Sequence, residues 1–289
     1  MRRYIGIRAL IIVILIICAK PIVAYADFGP KDSLTIYVEH PPDESYYLDL
    51  LTTERGEHSN LHEPETRESL NQDMLKMLYA YEDEGWYPAL TAGTTIPMRG
   101  SLTGESDGDR MVHKFGYVGL PETYRIIIVT ESGEVTASQP FTRQALQSSI
   151  TYDHESNKGE VPSIVTAYLL QYATTCIPTL LIELVILLLF GFKLRDNWKV
   201  FLFTNLATQV LLTVTLGTAL ILHGSLTAYF IQFPVELVIL IAETILFAKL
   251  LRGYTVKRRV AYGIAANIIS WGMGFIFLSQ QYQLLVSIL

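Results

Sequence analysis

Cysteine is nearly missing from these 289 residues: the chain has two, Cys18 and Cys176. A disulfide-stapled fold and a zinc site of paired cysteines are thereby excluded. Also missing are G-x-S-x-G, the P-loop, the dinucleotide-binding glycine pattern and H-E-x-x-H. Without a nucleophile–base pair or a phosphate cradle, the chain reads as a non-enzyme with no cofactor. Basic residues are scarce in one part only. Residues 27–160 hold 24 Asp and Glu against 10 Lys and Arg, a net charge of −14. Such a surface repels nucleic acid, so nucleic acid is not expected as a partner.

What the chain has in quantity is apolar residues, half of the total. They gather in a short block at the start and four long blocks after residue 163. The first block, residues 1–26, has Arg2, Arg3 and Arg8, then an apolar run, then Ala24-Tyr25-Ala26, and reads as a cleaved signal peptide. Ile17 before Cys18 is not small, which argues against lipidation. Residues 27–160 would then form an extracytoplasmic domain, and residues 161–289 a four-span transmembrane domain in a lipid bilayer. The spans fall at about 163–190, 200–222, 228–250 and 260–279, each with the ~20 residues that ~30 Å of hydrocarbon needs. Lys193, Arg195 and Lys199 follow the first span, and Arg252, Lys257, Arg258 and Arg259 precede the fourth. The link H-G-S-L at 223–226 has neither Lys nor Arg. The positive-inside rule puts both basic loops in the cytoplasm, which agrees with an exported acidic domain in a multi-pass cell-membrane protein. P-T-L-L-I-E-L-V-I-L from Pro178 also resembles P-V-E-L-V-I-L from Pro234, a hint of duplication.

Polar residues interrupt all four spans. Glu183, the set Asn205, Thr208 and Gln209, the pair Glu236 and Glu243, and Asn267 with Ser270 are placed there. All but Glu236 fall at similar depth, and within each helix they share a face. A polar group facing lipid has no partner, so these faces should converge inside the bundle. Two explanations remain open. The layer could be hydrogen-bonding glue or a dock for a membrane-protein partner, or it could bind a small cation or pass protons.

The exported part reads as a β-rich, sandwich-like domain with one inserted helix, giving an α+β protein of two parts. Leu34, Ile36 and Val38 alternate as in a strand; residues 46–51 read as a second strand, and 113–118 and 148–153 are further strand candidates. Thr123–Ser138 reads as a hairpin turning at Ser132-Gly133, and Leu70, Met74, Leu78 and Tyr81 have helical spacing. Residues 154–162 read as a polar hinge. His58 and His62 are four apart and are weak metal candidates, with Pro64 close behind and no third ligand evident. Glu105–Arg110 has the alternating acids of a calcium loop without its closing Glu, and reads as a solvated turn.

The stretch D-F-G-P-K from Asp27, followed by a strand and by Y-Y-L-D-L-L at 46–51, resembles the opening of an uncharacterised family of membrane proteins from Firmicute-type bacteria. The helical end is similar too, with Glu183, N-L-A-T-Q at 205–209, Glu236, Glu243, Asn267 and Ser270. The resemblance implies an exported β domain on a four-helix anchor and brings no activity with it. The expectation is a sensory or assembly component whose outer domain binds a partner or ligand. The alternative is a small ion- or proton-coupled transporter using the glutamates.

Overall fold

The computed structural model describes residues 29–61 and 69–289. The expected signal peptide and His62 lie outside the described residues. Residues 29–160 are rich in β-strand and residues 164–286 are helical, an α+β layout.

In chain order the first part runs β1 (Ser33–Glu39), β2 (Tyr46–Thr52), α1 (Gln72–Ala80), β3 (Tyr87–Pro88), α2 (Ala89–Ala92), β4 (Arg99–Gly100) and β5 (Glu105–Asp107). It continues with β6 (Arg110–Gly116), β7 (Thr123–Thr130), β8 (Val135–Ala137), β9 (Phe141–Thr142), β10 (Gln147–Asp153) and β11 (Lys158–Glu160). Among the described residues these make two sheets. One has the order β11-β10-β1-β6-β4 with β5 beside β6; the other has β3-β2-β7-β8 with β9 beside β7. β1 is central, parallel to β10 and antiparallel to β6, with Ile36 opposite both Ile150 and His113. Its Leu34, Ile36 and Val38 turn inward to a core shared with Leu48 and Leu50 of β2 and Ile126 and Ile128 of β7.

The unbroken run Ile126–Val129 in β7 is buried on both faces of its strand, as is Leu48–Leu51 in β2. The first sheet covers one face; α1 packs on β7 and α2 on β2. Apolar residues at consecutive positions need such two-sided cover, and each buried Leu or Ile contributes roughly 1.5–3 kcal/mol. α1 starts where Asn71 Oδ1 accepts from the backbone of Asp73 and Met74. The Thr123–Ser138 stretch is a hairpin, with Gly133 at φ 95°. Two details differ from expectation. A second short helix, α2, follows β3. Residues 154–162 are not simply a hinge, because β11 folds back onto β10 with Thr151 opposite Glu160.

The helical part comprises α3 (Ile164–Leu189), α4 (Leu194–Leu212), a π-helical turn at Thr213–Gly217, α5 (Thr218–Leu250) and α6 (Val256–Val286). Among the described residues three continuous helices are long and apolar enough to cross a membrane: Ile164–Leu189, the 57 residues Leu194–Leu250, and Val256–Val286. The middle one would be about 85 Å long if straight. It is not straight. Gly224, at φ 80° and ψ 177°, breaks the helix and turns the chain back. The two limbs lie side by side, with Asn197 bonded to Arg252 and Thr208 to Glu243. The expected four-residue link at 223–226 is therefore one non-helical glycine. The last helix also runs further than the expected span, through Val286.

These helices invert the usual distribution of polarity. Leu169, Leu181, Leu189, Phe203, Val214 and Ile276 are exposed, while Gln171, Glu183, Asn205, Gln232, Glu243 and Asn267 are buried. Hydrocarbon tolerates the first set and excludes the second. The two ends of the helices differ as well. At one end Leu146 N–H donates to Ile221 O at 2.9 Å, and Ser149 N–H donates to Leu289 O at 2.5 Å, fastening the β part to the helices. At the other end lie the loops with the basic residues, where Tyr254 OH donates to Gly191 O and Arg258 stacks over Tyr254.

Candidate ligand-binding cavity between the helices

Helix spacing places one polar residue of each pair above the other, and packing brings four helical faces together. Glu243 of α5 is 1% exposed. Its Oε1 accepts from Thr208 Oγ1 of α4, and its Oε2 accepts from Asn267 Nδ2 of α6 at 2.9 Å. Asn267 is held in turn by donation to Gly263 O at 3.0 Å. Close approach of α5 and α6 depends on Gly263, where an added Cβ would lie 2.9 Å from the Thr244 Cα. Glu183 of α3, also 1% exposed, accepts from Ser270 Oγ at 3.2 Å through Oε1. Asn205 lies beside it, with Nδ2 donating to Phe201 O.

Beside these groups the helices form a cavity of about 280 Å³, open to the outside of the bundle past the exposed Gly274 and Phe277. Glu183, Gln209, Glu236, Glu243, Asn267 and Ser270 line it. Thr208 stands behind this wall as a partner of Glu243, and Asn205 stands beside Glu183. All eight residues expected in the polar layer are thus at the cavity or against it. Glu236 is the least buried of the three acids and lies beside Gln232.

Several polar atoms here have no hydrogen-bond partner among the described residues: Glu183 Oε2, Gln209 Oε1, Gln232 Oε1 and the Trp271 indole N–H all belong to lining residues. Buried polar atoms are paired in the great majority of cases, so such a group calls for an explanation. The π-helical turn at Thr213–Gly217 follows directly on Leu212 and contains Leu216, both lining residues. Single π turns occur often at functional sites.

Sequence reasoning overlooked Gln171, Gln232 and the pair Gln281–Thr174, in which Gln281 Nε2 donates to Thr174 Oγ1 at 2.8 Å. A signal was there: Gln171 and Gln232 each stand alone in an apolar run. Both fall nearer the β part than the other polar residues do, outside the depth that those share.

α6 joins the cavity to the β part. Asn267, Ser270, Gly274 and Gln281 line the cavity, and beyond the end of the same helix Leu289 O accepts from both the N–H and Oγ of Ser149 in β10. Ala145 packs in one apolar cluster with Leu220, Leu285 and Leu289. Arg143 stiffens the adjoining loop, donating to Pro121 O and Leu120 O and pairing with Asp32 at 2.9 Å.

The β part offers less. His58 is exposed, and its backbone bridges Thr94. Among the described residues no group of three or more His, Cys, Asp or Glu side chains is arranged to hold a metal. Glu105–Arg110 forms the hairpin between β5 and β6, closed by Asp107 paired with Arg110 at 2.7 Å. Two buried ionisable groups stand out. Burial pushes the Asp49 carboxyl up to about 6, against the pull of the hydroxyl of Thr91 and the backbone N–H groups of Leu90, Thr91 and Leu50. Those bonds tie α2 to β2. Burial pushes His113 down to about 4, and its Nε2 lies 3.0 Å from Tyr46 Oη. A scan against protein-family models finds no match to this chain, and searches of curated proteins and of solved structures likewise find none.

Proposed function

We propose that this chain is a non-enzymatic sensory protein of a cell membrane, which binds a small ligand between its helices and passes the occupied state to its β part. In this reading the chain crosses the bilayer four times, with the limbs Leu194–His223 and Ser225–Leu250 as separate spans. The basic loops lie in the cytoplasm and the acidic β part outside, as the positive-inside rule requires. The supporting observation is the double engagement of α6, which lines the cavity and is hydrogen-bonded to β10 through Leu289. A ligand that reshapes the wall would act on the central strands of the first sheet through one helix.

The test adds bulk at the cavity wall. Gly274 lines it, and its nearest neighbour would be Gln232 Nε2, 3.6 Å from an added Cβ. Gly274→Leu should change amide hydrogen exchange in β10 and β1 several-fold while leaving α1 and β7 unaltered. Unchanged exchange in β10, in a folded variant, would count against coupling.

A second reading, an ion- or proton-coupled transporter, draws on the three carboxyls at one apolar cavity. Proteoliposomes distinguish the two. Transport predicts saturable cation or proton flux that Glu243→Gln abolishes; sensing predicts none.

A further inference from the structure

We infer that the cavity takes a linear aliphatic diammonium compound: two primary ammonium groups joined by a short alkyl chain. The inference rests on the ligand-binding reading above and names its ligand class.

The first argument is donor and acceptor balance. Glu183 Oε2, Gln209 Oε1 and Gln232 Oε1 belong to side chains 1%, 4% and 1% exposed, and none has a partner among the described residues. All three are acceptors. The Gln232 amide N–H side is turned to Glu236, which leaves its oxygen as the free end. An ammonium group carries three donors and no acceptor, the complement of such oxygens. The Trp271 indole N–H and the Gln209 amide N–H are donors that this ligand leaves unmatched.

The second argument is charge. Glu183, Glu236 and Glu243 line the cavity, and among the described residues no Lys, Arg or His does. Positive charge from a ligand would offset theirs, where a neutral ligand would not.

Distribution decides between a compact and an extended cation. The acids are not gathered as a metal's ligands, since no group of three or more among the described residues suits an ion. Glu236 and Glu243 are two helical turns apart, about 10 Å along α5, a span suited to a chain of about four to six methylenes between two ammonium groups. Between them Ile239 faces the cavity, with Leu212 and Leu278 also on the wall. Apolar side chains suit the methylenes and would not suit the shell of a hydrated metal ion.

The experiment is thermal unfolding and calorimetric titration of the whole purified protein in detergent at constant ionic strength. The probes are butane-1,4-diammonium and hexane-1,6-diammonium, with butylammonium, butane-1,4-diol and potassium chloride as controls. A bound ligand raises apparent stability in proportion to its occupancy of the native state. A diammonium should bind at least tenfold more tightly than butylammonium, and the diol and potassium should give no shift. Glu236→Gln, a near-isosteric change at the least buried acid, should reduce diammonium affinity at least tenfold and leave butylammonium within threefold. Titration of the wild type gives an answer independent of any variant. Equal stabilisation by potassium, or equal affinity for the mono- and diammonium, would overturn the diammonium assignment and leave a cation-binding cavity standing. No shift of the wild type with any probe would overturn this assignment; an unaltered β10 in Gly274→Leu would remove the coupling reading separately.

Discussion

Asn267 donates to Glu243 Oε2 from a neighbouring helix at 2.9 Å, while Thr208 occupies the carboxyl's other oxygen. Glu183 differs, with one oxygen bonded to Ser270 and the other without a partner among the described residues. The same substitution should therefore act differently at the two sites. In Glu243→Gln an amide N–H₂ replaces an acceptor that faces donors on both sides. Stability should fall by about 1–3 kcal/mol, the usual cost of spoiling a buried hydrogen bond. In Glu183→Gln the free oxygen loses nothing, so the change should be near zero. At roughly 2–4 °C per kcal/mol, thermal unfolding in detergent without added ligand separates the two. Equal effects would mean that the bonding around Glu243 does not distinguish it.

Asn197 holds the far end of the bundle. It is 1% exposed; its Oδ1 accepts from Arg252 N–H at 2.7 Å, and its Nδ2 donates to Lys193 O at 3.1 Å and Arg252 O at 3.3 Å. One amide thus ties both basic loops together. Asn197→Ala strips those backbone groups of their side-chain partner and should cost about 1–3 kcal/mol. Limited trypsin digestion gives the local reading: cleavage after Arg252 should accelerate, with sites in the β part cut at wild-type rates.

The polar layer was legible because hydrocarbon-compatible runs make every carboxyl and amide conspicuous, and helical spacing says which share a face. Alternation in Leu34–Val38 likewise marked β1. Other features were hidden by their range. Nothing near Ser33 says that β1 will pair in parallel with β10, over a hundred residues away. Gly224 was visible as part of a link, but its role as the sole interruption depends on Pro30 and Leu146 packing against it. Asp49 stood in plain view between two leucines. Its burial follows from α2, four residues that periodicity is too short to reveal.

Gly224 invites a direct test. Its φ of 80° disfavours any side chain, and a Cβ there would overlap Pro30 and come within 2.9 Å of Leu146 Cδ2. Gly224→Ala should destabilise the protein by about 1–3 kcal/mol, from backbone strain and from displacement of the β part at that contact. Loss of the Leu146–Ile221 bond should show as faster exchange of the Leu146 amide. Protection of Leu146 equal to wild type would mean that this contact does not depend on the glycine.

His113 and Asp49 set opposing pH dependences within one core. His113, held down to about 4 from 6.5, favours the fold when neutral. Its contribution is complete above pH 6.5 and is lost as pH falls through 4, a change of about 3 kcal/mol. Asp49, pushed up to about 6 from 3.8, also favours the fold when neutral. Its contribution is complete below pH 3.8 and is lost as pH rises through 6, again about 3 kcal/mol. Between pH 4 and 6 the two slopes nearly cancel, so wild-type protection of the slowest β-part amides should be almost flat once intrinsic exchange is removed. His113→Gln keeps an acceptor for Tyr46 and removes one slope. Protection in that variant should fall steadily from pH 4 to pH 6. A flat profile in His113→Gln would mean that Asp49 stays ionised in the fold throughout that range, its four donors outweighing its burial.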